Sequence, residues 1–567
     1  MGSLCRVRYG TLSHEGDTML DDTALAFAPL PAGRLLDDAV RSFAHRSAID
    51  FLGKRYSYAE LGQLTERAAA GLQALGVGKG SNIGLCLPNT PYSIVLYFAI
   101  LKTGATVLNF NPLYTVSEME LMVKDTGCKT IITIDAAPVF ATVKALAGKG
   151  LLARVIVCSL PNALPVLKGL ALRLFKRSAI AKIPAGTPFM SFEALLNAGK
   201  GPLKPVEIDP LNDIAVLQFT GGTTGIPKAA MLTHANITVN IEQVRAILPA
   251  LETGTERFLG VLPFFHVFAM TAVMNLGLTI GAELILIPKP DIKLLVNTLF
   301  ARKPTVVPGV PTLFIAIAKE AEAQGRTDLS FIKFCVSGGA PLSVEALERF
   351  ERISKSRILE GYGLSETSPA LTFSRLNLLK HGSVGPALPL TELQIRDPAN
   401  PEIVLPQGAR GEICARGPQV MKGYYNKPEE TDYVFTDGFF RTGDIGYLDE
   451  DGCLFIVDRI KDLIICSGFN VYPRIIEEAA YQHPAVMEAV AVGIPDPYRG
   501  QAPKLYVTLR AGFEDTLAEE IHEFLKDKLN KIELPKKVEI RASLPKTMVG
   551  KLSKKELIAE EARDHKS

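Results

Sequence analysis

The residue types best suited to bind a phosphate group lie together in residues 219–228, which read FTGGTTGIPK. Three glycines allow backbone N–H groups to point into one concavity, three threonines add hydroxyl donors, and Lys228 adds a positive charge. Such a loop forms a nest for an anion. Its spacing differs from that of a Walker A loop, because no Gly-Lys-Ser/Thr follows at the required distance. A polar turn between two strands is the alternative that composition leaves open.

Continued through Thr233 and His234, this loop resembles the phosphate-binding signature of the adenylate-forming superfamily. That superfamily contains acyl-CoA synthetases, peptide-synthetase adenylation domains and luciferases. Further blocks follow in the family's order: PFFH at 263–266, GVPT at 309–312, SGGAP at 337–341, GYGLSET at 361–367, GSVG at 382–385, GE at 411–412, RTGD at 441–444, DRIK at 458–461, GFN at 468–470 and PKTMVGK at 545–551. The resemblance covers about residues 25 to 560 and is most like bacterial long-chain fatty acyl-CoA synthetases.

The resemblance implies an AMP-forming acyl-CoA ligase that uses ATP, Mg²⁺ and CoA. Attack of a carboxylate on the α-phosphorus of ATP gives an acyl-adenylate, and a thiol then displaces AMP. Because two anions meet in the first step, positive groups and hydrogen-bond donors must offset their repulsion. A long-chain fatty acid is the favoured substrate. A medium-chain or dicarboxylic acid, or an acyl-AMP ligase delivering to a carrier protein, stays open.

The resemblance also assigns roles to residues around the nucleotide. The loop would hold the β- and γ-phosphates through Thr220, Gly221, Gly222, Thr223, Thr224, Gly225 and Lys228. Ser365 would donate to the α-phosphate, Glu366 would ligate Mg²⁺, and Asp444 would accept from the ribose hydroxyls with Arg459 in support. The adenine and the acyl carboxylate would lie between two short segments, Gly339, Ala340 and Pro341 on one side and Gly361, Tyr362 and Gly363 on the other.

The remaining roles concern the two half-reactions. Lys551 matches the lysine that bridges the carboxylate and the α-phosphate, Lys461 lies at the hinge between two domains, and Gly468 would line the pantetheine channel. His266 would be a gate near the acyl path. Outside this frame, a lysine beside a polar C-terminal helix is usually a surface charge, and a histidine in an apolar run is usually a core residue. A non-catalytic paralogue should have lost Lys551, Glu366 or Asp444. All three residues are present, which disfavours that alternative.

The elements that must position these residues alternate between helix and strand. Ser57 with Glu60, and Ser117 with Glu120, have the spacing of capping boxes at helix starts. Short strands are predicted at 82–87, 130–134 and 214–217. Past residue 460 we expect strands at 486–492, 505–509 and 538–541, with helices at 517–529 and 553–563.

This pattern predicts two domains. The fold class expected is a large N-terminal α/β domain of layered sheets and helices, residues 1–460, followed by a small mobile α+β domain, residues 461–567, that carries Lys551. The 25 residues 258–282 lack Asp, Glu, Lys and Arg, yet proline and histidine within them favour a strand, a loop and a buried helix over a membrane span. Residues 82–101 are interpreted in the same way.

Composition excludes several other classes. Lys and Arg number 62 against 60 Asp and Glu in 567 residues, so no global field favours nucleic acid as a partner. The eight cysteines contain no C-x-x-C pair, and the N-terminus has no apolar export signal, which favours a reducing cytoplasmic location. The oligomeric state stays open.

One segment has an unusual charge distribution. Residues 136–192 contain no acidic residue in 57 positions but eight basic ones, Lys144, Lys149, Arg154, Lys168, Arg173, Lys176, Arg177 and Lys182. Within it, residues 160–177 mix leucines and Phe175 with four of these cations. A basic, leucine-rich helix here suits reversible contact with an anionic membrane surface. A basic loop packed on the large domain is the alternative.

Overall fold

The computed structural model of the protein describes residues 27–220, 227–248, 250–289, 291–339, 344–467, 469–546 and 552–564. These residues form four sheets with helices packed between and around them. Several of the residues with expected roles, Gly221, Gly222, Thr223, Thr224, Gly225, Ala340, Pro341, Gly468 and Lys551, lie outside the described residues.

The first sheet has seven strands and contains the strand that leads into the phosphate loop. In spatial order they are Phe189–Ser191, Arg154–Cys158, Thr130–Ile134, Asn82–Leu85, Thr106–Asn109, Ile214–Thr220 and Lys228–Thr233. Neighbouring strands are parallel except for the last pair, which forms an antiparallel hairpin. Parallel strands are buried on both faces, and Thr130–Ile134 is buried at every residue.

The second sheet has eight strands and is parallel in its centre. In spatial order they are Ala370–Phe373, Arg357–Gly363, Phe334–Gly338, Val306–Gly309, Arg257–Gly260, Glu283–Leu286, Ser47–Phe51 and Lys54–Ser57. Only the outermost pair at each end is antiparallel. One continuous apolar cluster joins this sheet to the first through the helices between them.

The two remaining sheets are smaller and mainly antiparallel. The third consists of Glu392–Arg396, Gly411–Arg416, Phe439–Leu448, Phe435–Thr436 and Leu454–Arg459. The fourth consists of Phe469–Val471, Ile464–Cys466, Gly500–Leu509, Val486–Asp496 and Lys537–Ile540. The fourth sheet has an apolar cluster of its own, made only of residues from Ile464 onward.

Helices cover the sheets and connect successive parallel strands. They are Arg34–Phe43, Tyr58–Ala74, Pro91–Lys102, Val116–Thr126, Ala137–Gly148, Leu160–Ala163, Val166–Phe175, Phe192–Ala198, His234–Ile247, Val267–Ala269, Leu276–Thr279, Ile292–Arg302, Pro311–Ala323, Val344–Ser354, Pro428–Tyr433, Pro473–Tyr481, Ala518–Lys526 and Lys554–Asp564. The expected fold class, a large α/β part followed by a small α+β part, is confirmed.

One of the two predicted capping boxes is confirmed and the other is misplaced by two residues. Ser57 and Glu60 bond each other's backbone N–H groups at the start of Tyr58–Ala74. In the second case Thr115, not Ser117, is the N-cap, and its partner is Glu118 rather than Glu120. When the helix starts at Val116, Met119, Met122 and Val123 are buried in the core. Packing therefore selects the Thr115–Glu118 pair over the Ser117–Glu120 pair, although both pairs have the spacing of a capping box.

Both apolar runs are divided as predicted. Residues 258–282 contain the end of Arg257–Gly260, a loop, and a buried helical segment that includes a π-helical stretch, Met270–Asn275. Residues 82–101 contain Asn82–Leu85 and most of Pro91–Lys102, whose residues are buried up to Leu101. Among the residues that the structure describes, no helix is long and apolar enough to cross a bilayer.

The sequence predicts a single helix in the basic segment 160–177, and this prediction is wrong. The segment forms Leu160–Ala163, Val166–Phe175 and a short 3₁₀ turn, Arg177–Ala179. The break falls at Leu164 and Pro165, because proline lacks an N–H donor and pushes the preceding residue into the extended region, where Leu164 lies at φ −84° and ψ 162°.

Candidate active site

The phosphate loop lies at the tip of the hairpin between Ile214–Thr220 and Lys228–Thr233. Antiparallel pairing places Thr220 opposite Lys228, so the two ends of the glycine-rich segment are held together. The Lys228 ammonium makes an ion pair with Glu430 and lies 5.1 Å from the centre of the Tyr424 ring. Both ends of the loop are therefore fixed, and its cation has a carboxylate partner.

The candidate metal ligand, Glu366, and Lys228 both contact the same residue, Tyr424. Ser365 and Glu366 belong to a 3₁₀ turn, Ser365–Thr367, which follows the strand Arg357–Gly363. The Tyr424 hydroxyl donates a hydrogen bond of 2.8 Å to Glu366 Oε1. Burial raises the pKa of Glu366, and the bond from Tyr424 opposes that rise. The tyrosine thus links the phosphate-loop cation to a buried carboxylate.

These residues fit Mg²⁺ in the manner typical of nucleotide sites. Mg²⁺ takes oxygen ligands, and proteins usually hold it with one or two carboxylates plus phosphate oxygens rather than with a complete cage. Glu366 supplies one buried carboxylate, and the described residues contain no cluster of three or more His, Cys, Asp or Glu that could hold a metal by itself.

A second buried carboxylate, Asp444, is bonded by two residues from different elements. Tyr362 donates to Asp444 Oδ2 at 2.8 Å, and Arg459 Nε lies 3.0 Å from Oδ1. Asp444 faces Arg459 because Phe439–Leu448 and Leu454–Arg459 are antiparallel neighbours. Burial raises the pKa of Asp444, whereas Arg459 lowers it, and Asp444 raises the pKa of Arg459. Tyr362, Asp444 and Arg459, predicted from three separate motifs, form one group.

The ends of the central strands explain why distant motifs meet. Gly339, Ser365 and the loop 261–266 all follow the carboxyl ends of strands in the second sheet, and Thr220 ends a strand of the first sheet. Ligands of open α/β sheets bind at this edge. Gly361 and Gly363 lie at the end of their strand, where a Cβ on Gly363 would lie only 1.8 Å from the Pro369 carbonyl oxygen. That contact excludes any side chain at this position.

His266 lies at the N-terminus of the helix Val267–Ala269, and its Nδ1 accepts a bond of 3.3 Å from the Phe268 N–H. It borders a small apolar cavity lined by Leu262, Pro263, His266, Phe268, Ala269, Val310 and Gly339. The helix continues into the π-helical stretch, a distortion frequently found at functional sites. His266 is thus neither a fully buried core residue nor a surface one.

Two residues that the sequence did not single out hold the loop bearing His266. Asn89 donates to the carbonyls of Gly260 and Leu262 at 3.0 and 2.8 Å and accepts from the Phe264 N–H at 2.9 Å. Gln218 donates to the Phe265 carbonyl at 3.0 Å. The signal for Asn89 was a polar side chain inside a proline-flanked turn, which by itself indicates only the turn.

The boundary between the third and fourth sheets contains Lys461, in the turn Ile460–Asp462. Burial and the neighbouring Arg459 lower the pKa of Lys461. Further along, the segment that carries Lys551 is closed at its base, since Lys546 pairs with Leu552 and the Ser553 N–H donates to the Pro545 carbonyl at 2.8 Å.

Lys554 anchors the helix that follows this segment. Its ammonium lies 3.1 Å from the partly buried carboxylate of Glu477, which also accepts from the Ala491 N–H at 2.9 Å. Burial lowers the pKa of Lys554, but the charges of Glu477 and Asp458 outweigh it, so the net change is upward. Lys554 is therefore a cationic anchor between its own helix and the helix Pro473–Tyr481.

A glycine-rich hairpin, a buried carboxylate beside it and a tyrosine–aspartate–arginine group at the edge of two large sheets are the arrangement of an adenylate-forming fold. The family model described as AMP-binding enzyme matches residues 36–425, and the model described as AMP-binding enzyme C-terminal domain matches residues 475–551. The chain belongs to the AMP-binding enzyme family.

Curated relatives match over almost the whole chain. A protein of Bacillus subtilis named long-chain-fatty-acid–CoA ligase is 40% identical over 548 residues, covering 95% of this chain and 96% of that protein. A protein of Escherichia coli with the same name is 37% identical over 539 residues, covering 93% and 94%. Among solved structures, ATP-bound MatB from Rhodopseudomonas palustris superposes with a TM-score of 0.80 at 28% identity, covering 93% of this chain and 98% of that one.

Proposed function

We propose that the protein is an ATP-dependent ligase that converts a long-chain fatty acid through acyl-AMP to acyl-CoA, with release of AMP and pyrophosphate. The observation that carries the proposal is the proximity of Lys228, Glu366 and Asp444. Lys228 and Glu366 both contact Tyr424, and Asp444 is near enough for its charge to raise the pKa of Glu366. Relatives named as long-chain-fatty-acid–CoA ligases, alike over nearly the whole chain, support the same activity.

On the nucleotide side, the residues fall into two groups with different tasks. Lys228, Thr220 and the residues between them receive the β- and γ-phosphates, and the Ser365 hydroxyl donates to the α-phosphate. Asp444 accepts from the ribose hydroxyls, because an ionised carboxylate is an acceptor only, and Arg459 keeps it oriented and charged. Gly339 to Pro341 and Gly361 to Gly363 flank the adenine and the acyl carboxylate.

Mg²⁺ enters the proposal through Glu366. When bound, the ion would neutralise phosphate charge as pyrophosphate leaves. The protein's own contribution is to keep the Glu366 carboxylate buried and oriented by the Tyr424 hydroxyl.

The acyl side is supported by the relatives named long-chain-fatty-acid–CoA ligases. The distal carboxylate of a dicarboxylic acid would need a polar or positively charged partner, whereas the tail of a fatty acid needs none. The apolar residues around the small cavity beside His266 are in keeping with an acyl path near this residue. His266 borders this path as a gate between the acyl chain and the pantetheine arm.

We place the division between the two domains at residues 460 and 461, which the separate apolar cluster of the fourth sheet supports. In this arrangement Lys461 is the hinge, Gly468 lines the pantetheine channel, and Lys551 serves the first half-reaction.

Lys551→Ala should abolish adenylation while sparing thioester formation, because its ammonium is needed only where the carboxylate meets the α-phosphate. Loss of one transition-state charge contact lowers the rate about 10²–10³-fold. Acyl-AMP formation and thioester formation from synthetic acyl-AMP are measured separately. Lys555→Ala, at an exposed lysine of the following helix, Lys554–Asp564, is the control. Equal damage to both steps would contradict the role.

The test of the whole proposal is pyrophosphate release across a panel of acids, from acetate through palmitate to pimelate, with and without CoA. We expect the highest kcat/KM with palmitate and CoA. Preference for pimelate would support a dicarboxylate ligase, and pyrophosphate release without any CoA product would support an acyl-AMP ligase that serves a carrier protein.

We also propose that the protein makes reversible contact with a membrane surface through residues 160–177. The excess of basic residues across 136–192 supports this contact. A fatty acid partitions into lipid, so an enzyme that uses it gains substrate concentration at that surface.

A further inference from the structure

The helix Val166–Phe175, here called the outer helix, has its apolar side turned away from the protein. Val166, Leu167 and Phe175 are 84%, 82% and 84% exposed, and Leu170 and Leu174 are each 52% exposed. The buried residue of this helix is its glycine, Gly169. A Cβ on Gly169 would lie 2.4 Å from the Pro161 carbonyl oxygen, so the glycine allows the helix backbone to pack directly against the preceding turn.

The spacing of the exposed residues makes them one surface. Residues three, four and seven positions apart share a face of an α-helix. Leu167, Leu170 and Leu174 have this spacing, and all are exposed. A globular protein normally buries such a stripe against its core, so the reversed orientation is typical of a surface that meets an apolar partner.

Cations lie on both edges of this stripe. Lys168 and Arg173 flank it, and each also bonds the protein body, Lys168 to the Leu52 carbonyl at 2.8 Å and Arg173 to the Asn162 amide oxygen at 2.6 Å. Lys176 and Arg177 follow at the C-terminal end and are exposed. Within the described part of the chain, these four cations have no carboxylate at ion-pair distance.

We infer that the outer helix docks in the plane of an anionic lipid surface, with Leu167, Leu170 and Leu174 inserted between headgroups and the cations bound to phosphates. The bonds of Lys168 and Arg173 to the body fix the helix as a rigid contact face. A second copy of the chain is a poorer occupant, because a two-fold interface would bring the same four cations of both copies together. The inference rests on the proposed ligase function only in explaining why membrane binding is useful; the binding surface itself is inferred from the exposed side chains.

Vesicle binding by the full-length chain tests the inference. Vesicles of phosphatidylcholine with and without phosphatidylglycerol are compared by co-sedimentation at low and high salt. We expect binding only to the anionic vesicles, weakened by salt because surface charges are screened. The triple variant Arg173→Glu, Lys176→Glu, Arg177→Glu should bind at least ~100-fold less tightly, because each cation lost weakens binding about fivefold.

The apolar stripe has its own variant and the charges have a matched control. Leu167→Ser with Leu174→Ser should weaken binding at least ~tenfold, since inserted apolar area is lost. Lys528→Glu, Lys531→Glu and Lys537→Glu change the net charge equally in the fourth-sheet region and should leave binding unchanged. These side chains are all exposed, so thermal unfolding should show the native transition for each variant.

A tryptophan reports insertion directly, because the chain contains none. Leu170→Trp on the stripe should show a blue-shifted emission and quenching by brominated lipid, whereas Leu211→Trp, at an exposed position elsewhere, should show neither. Equal binding to neutral and anionic vesicles, binding to neither, or equal loss in the control triple variant would overturn the inference. So would a dimer that the Leu167 and Leu174 changes convert to monomer without any vesicle binding.

Ligase activity is measured separately with palmitate delivered from albumin, so that no lipid surface is present. Activity without vesicle binding would overturn the inference and leave the proposed function intact. Vesicle binding without activity would overturn the proposed function and leave the inference intact.

Discussion

The carboxylate of Glu430 pairs with Lys228, the cation that we propose binds the phosphates of ATP. The two residues are 202 positions apart in the chain. In the proposed site, ATP therefore has to compete with a negative charge that the protein itself supplies. The pair is partly exposed, at 26% for the Lys228 side chain and 38% for that of Glu430, so its effect is modest.

Glu430→Gln should tighten ATP binding roughly two- to fivefold, as expected for the loss of one partly solvated competing carboxylate. The dissociation constant for ATP is measured by calorimetry. Glu429→Gln is the matched control, because it removes the same charge from the same short helix at an exposed position. Equal effects of the two changes would mean that only the general field around the helix matters.

Tyr424→Phe should move the acid limb of the adenylation rate to higher pH. Burial already raises the pKa of Glu366, and the Tyr424 hydroxyl lowers it. Without that bond the pKa rises further, so Glu366 takes up a proton, and loses its capacity to ligate Mg²⁺, at a higher pH than in the parent.

The pH dependence of pyrophosphate release checks this prediction. Phenylalanine keeps the ring beneath Lys228, so the charge environment of the phosphate loop is retained. Tyr433→Phe, at an exposed tyrosine of the helix Pro428–Tyr433, is the control. An unchanged acid limb in Tyr424→Phe would show that another group sets it.

At the scale of elements, the loop 261–266 is placed by contacts rather than by its own conformation. Asn89, in the turn before the helix Pro91–Lys102, makes two hydrogen bonds to this loop and one to the Gly260 carbonyl at the end of the preceding strand. Gln218 makes one bond to the loop from the neighbouring sheet. The position of His266 thus depends on the side-chain amides of Asn89 and Gln218.

Asn89→Ala should lower both the unfolding temperature and kcat/KM, because it leaves two buried carbonyls and one N–H without this partner, at a cost of about 1–3 kcal/mol. Thermal unfolding and pyrophosphate release are measured together. Asn197→Ala, at an exposed helix position, should change neither. A stable but slow Asn89 variant would indicate that the loop, rather than the fold, is what Asn89 supports.

For the whole molecule, the two half-reactions require different placements of the small domain if Lys461 is the hinge. In the present arrangement Arg474 of the small domain bonds the last strand of the third sheet, its N–H to Asp458 at 2.8 Å and its guanidinium to the Ile456 carbonyl at 2.6 Å. A rotation about residue 461 has to exchange these contacts.

Lys461→Pro and Gly468→Leu should accumulate acyl-AMP and form little acyl-CoA. Proline fixes φ near −65° and stiffens the hinge, and leucine fills the channel proposed for pantetheine. Quenched-flow measurement of the intermediate acyl-AMP and of the product acyl-CoA checks the prediction. Lys461→Ala separates loss of charge from stiffness, and Gly201→Leu is a control at a glycine with open space around it. Equal loss of adenylation in both variants would contradict domain rotation.

The sequence by itself determined the features that local signals encode. The phosphate loop, the order of the motifs, the alternating helices and strands and the capping box at Ser57 all depend on residues within a few positions of one another. The fold class followed because apolar runs without charge have to be buried and polar breaks have to lie between them. One cap was misplaced, since Thr115 and Ser117 both have a glutamate three residues later and only packing of Met119 and Met122 distinguishes them.

Tertiary structure alone decided which distant side chains meet. Tyr424 reaches Glu366 across 58 positions and Asn89 reaches Gly260 across 171, and no local pattern specifies either contact. The outer helix shows the same limit, because its leucine spacing indicates an apolar face without indicating which way the face points. Gly169 decides that orientation, since only the side of the helix without a side chain can approach the Pro161 carbonyl so closely.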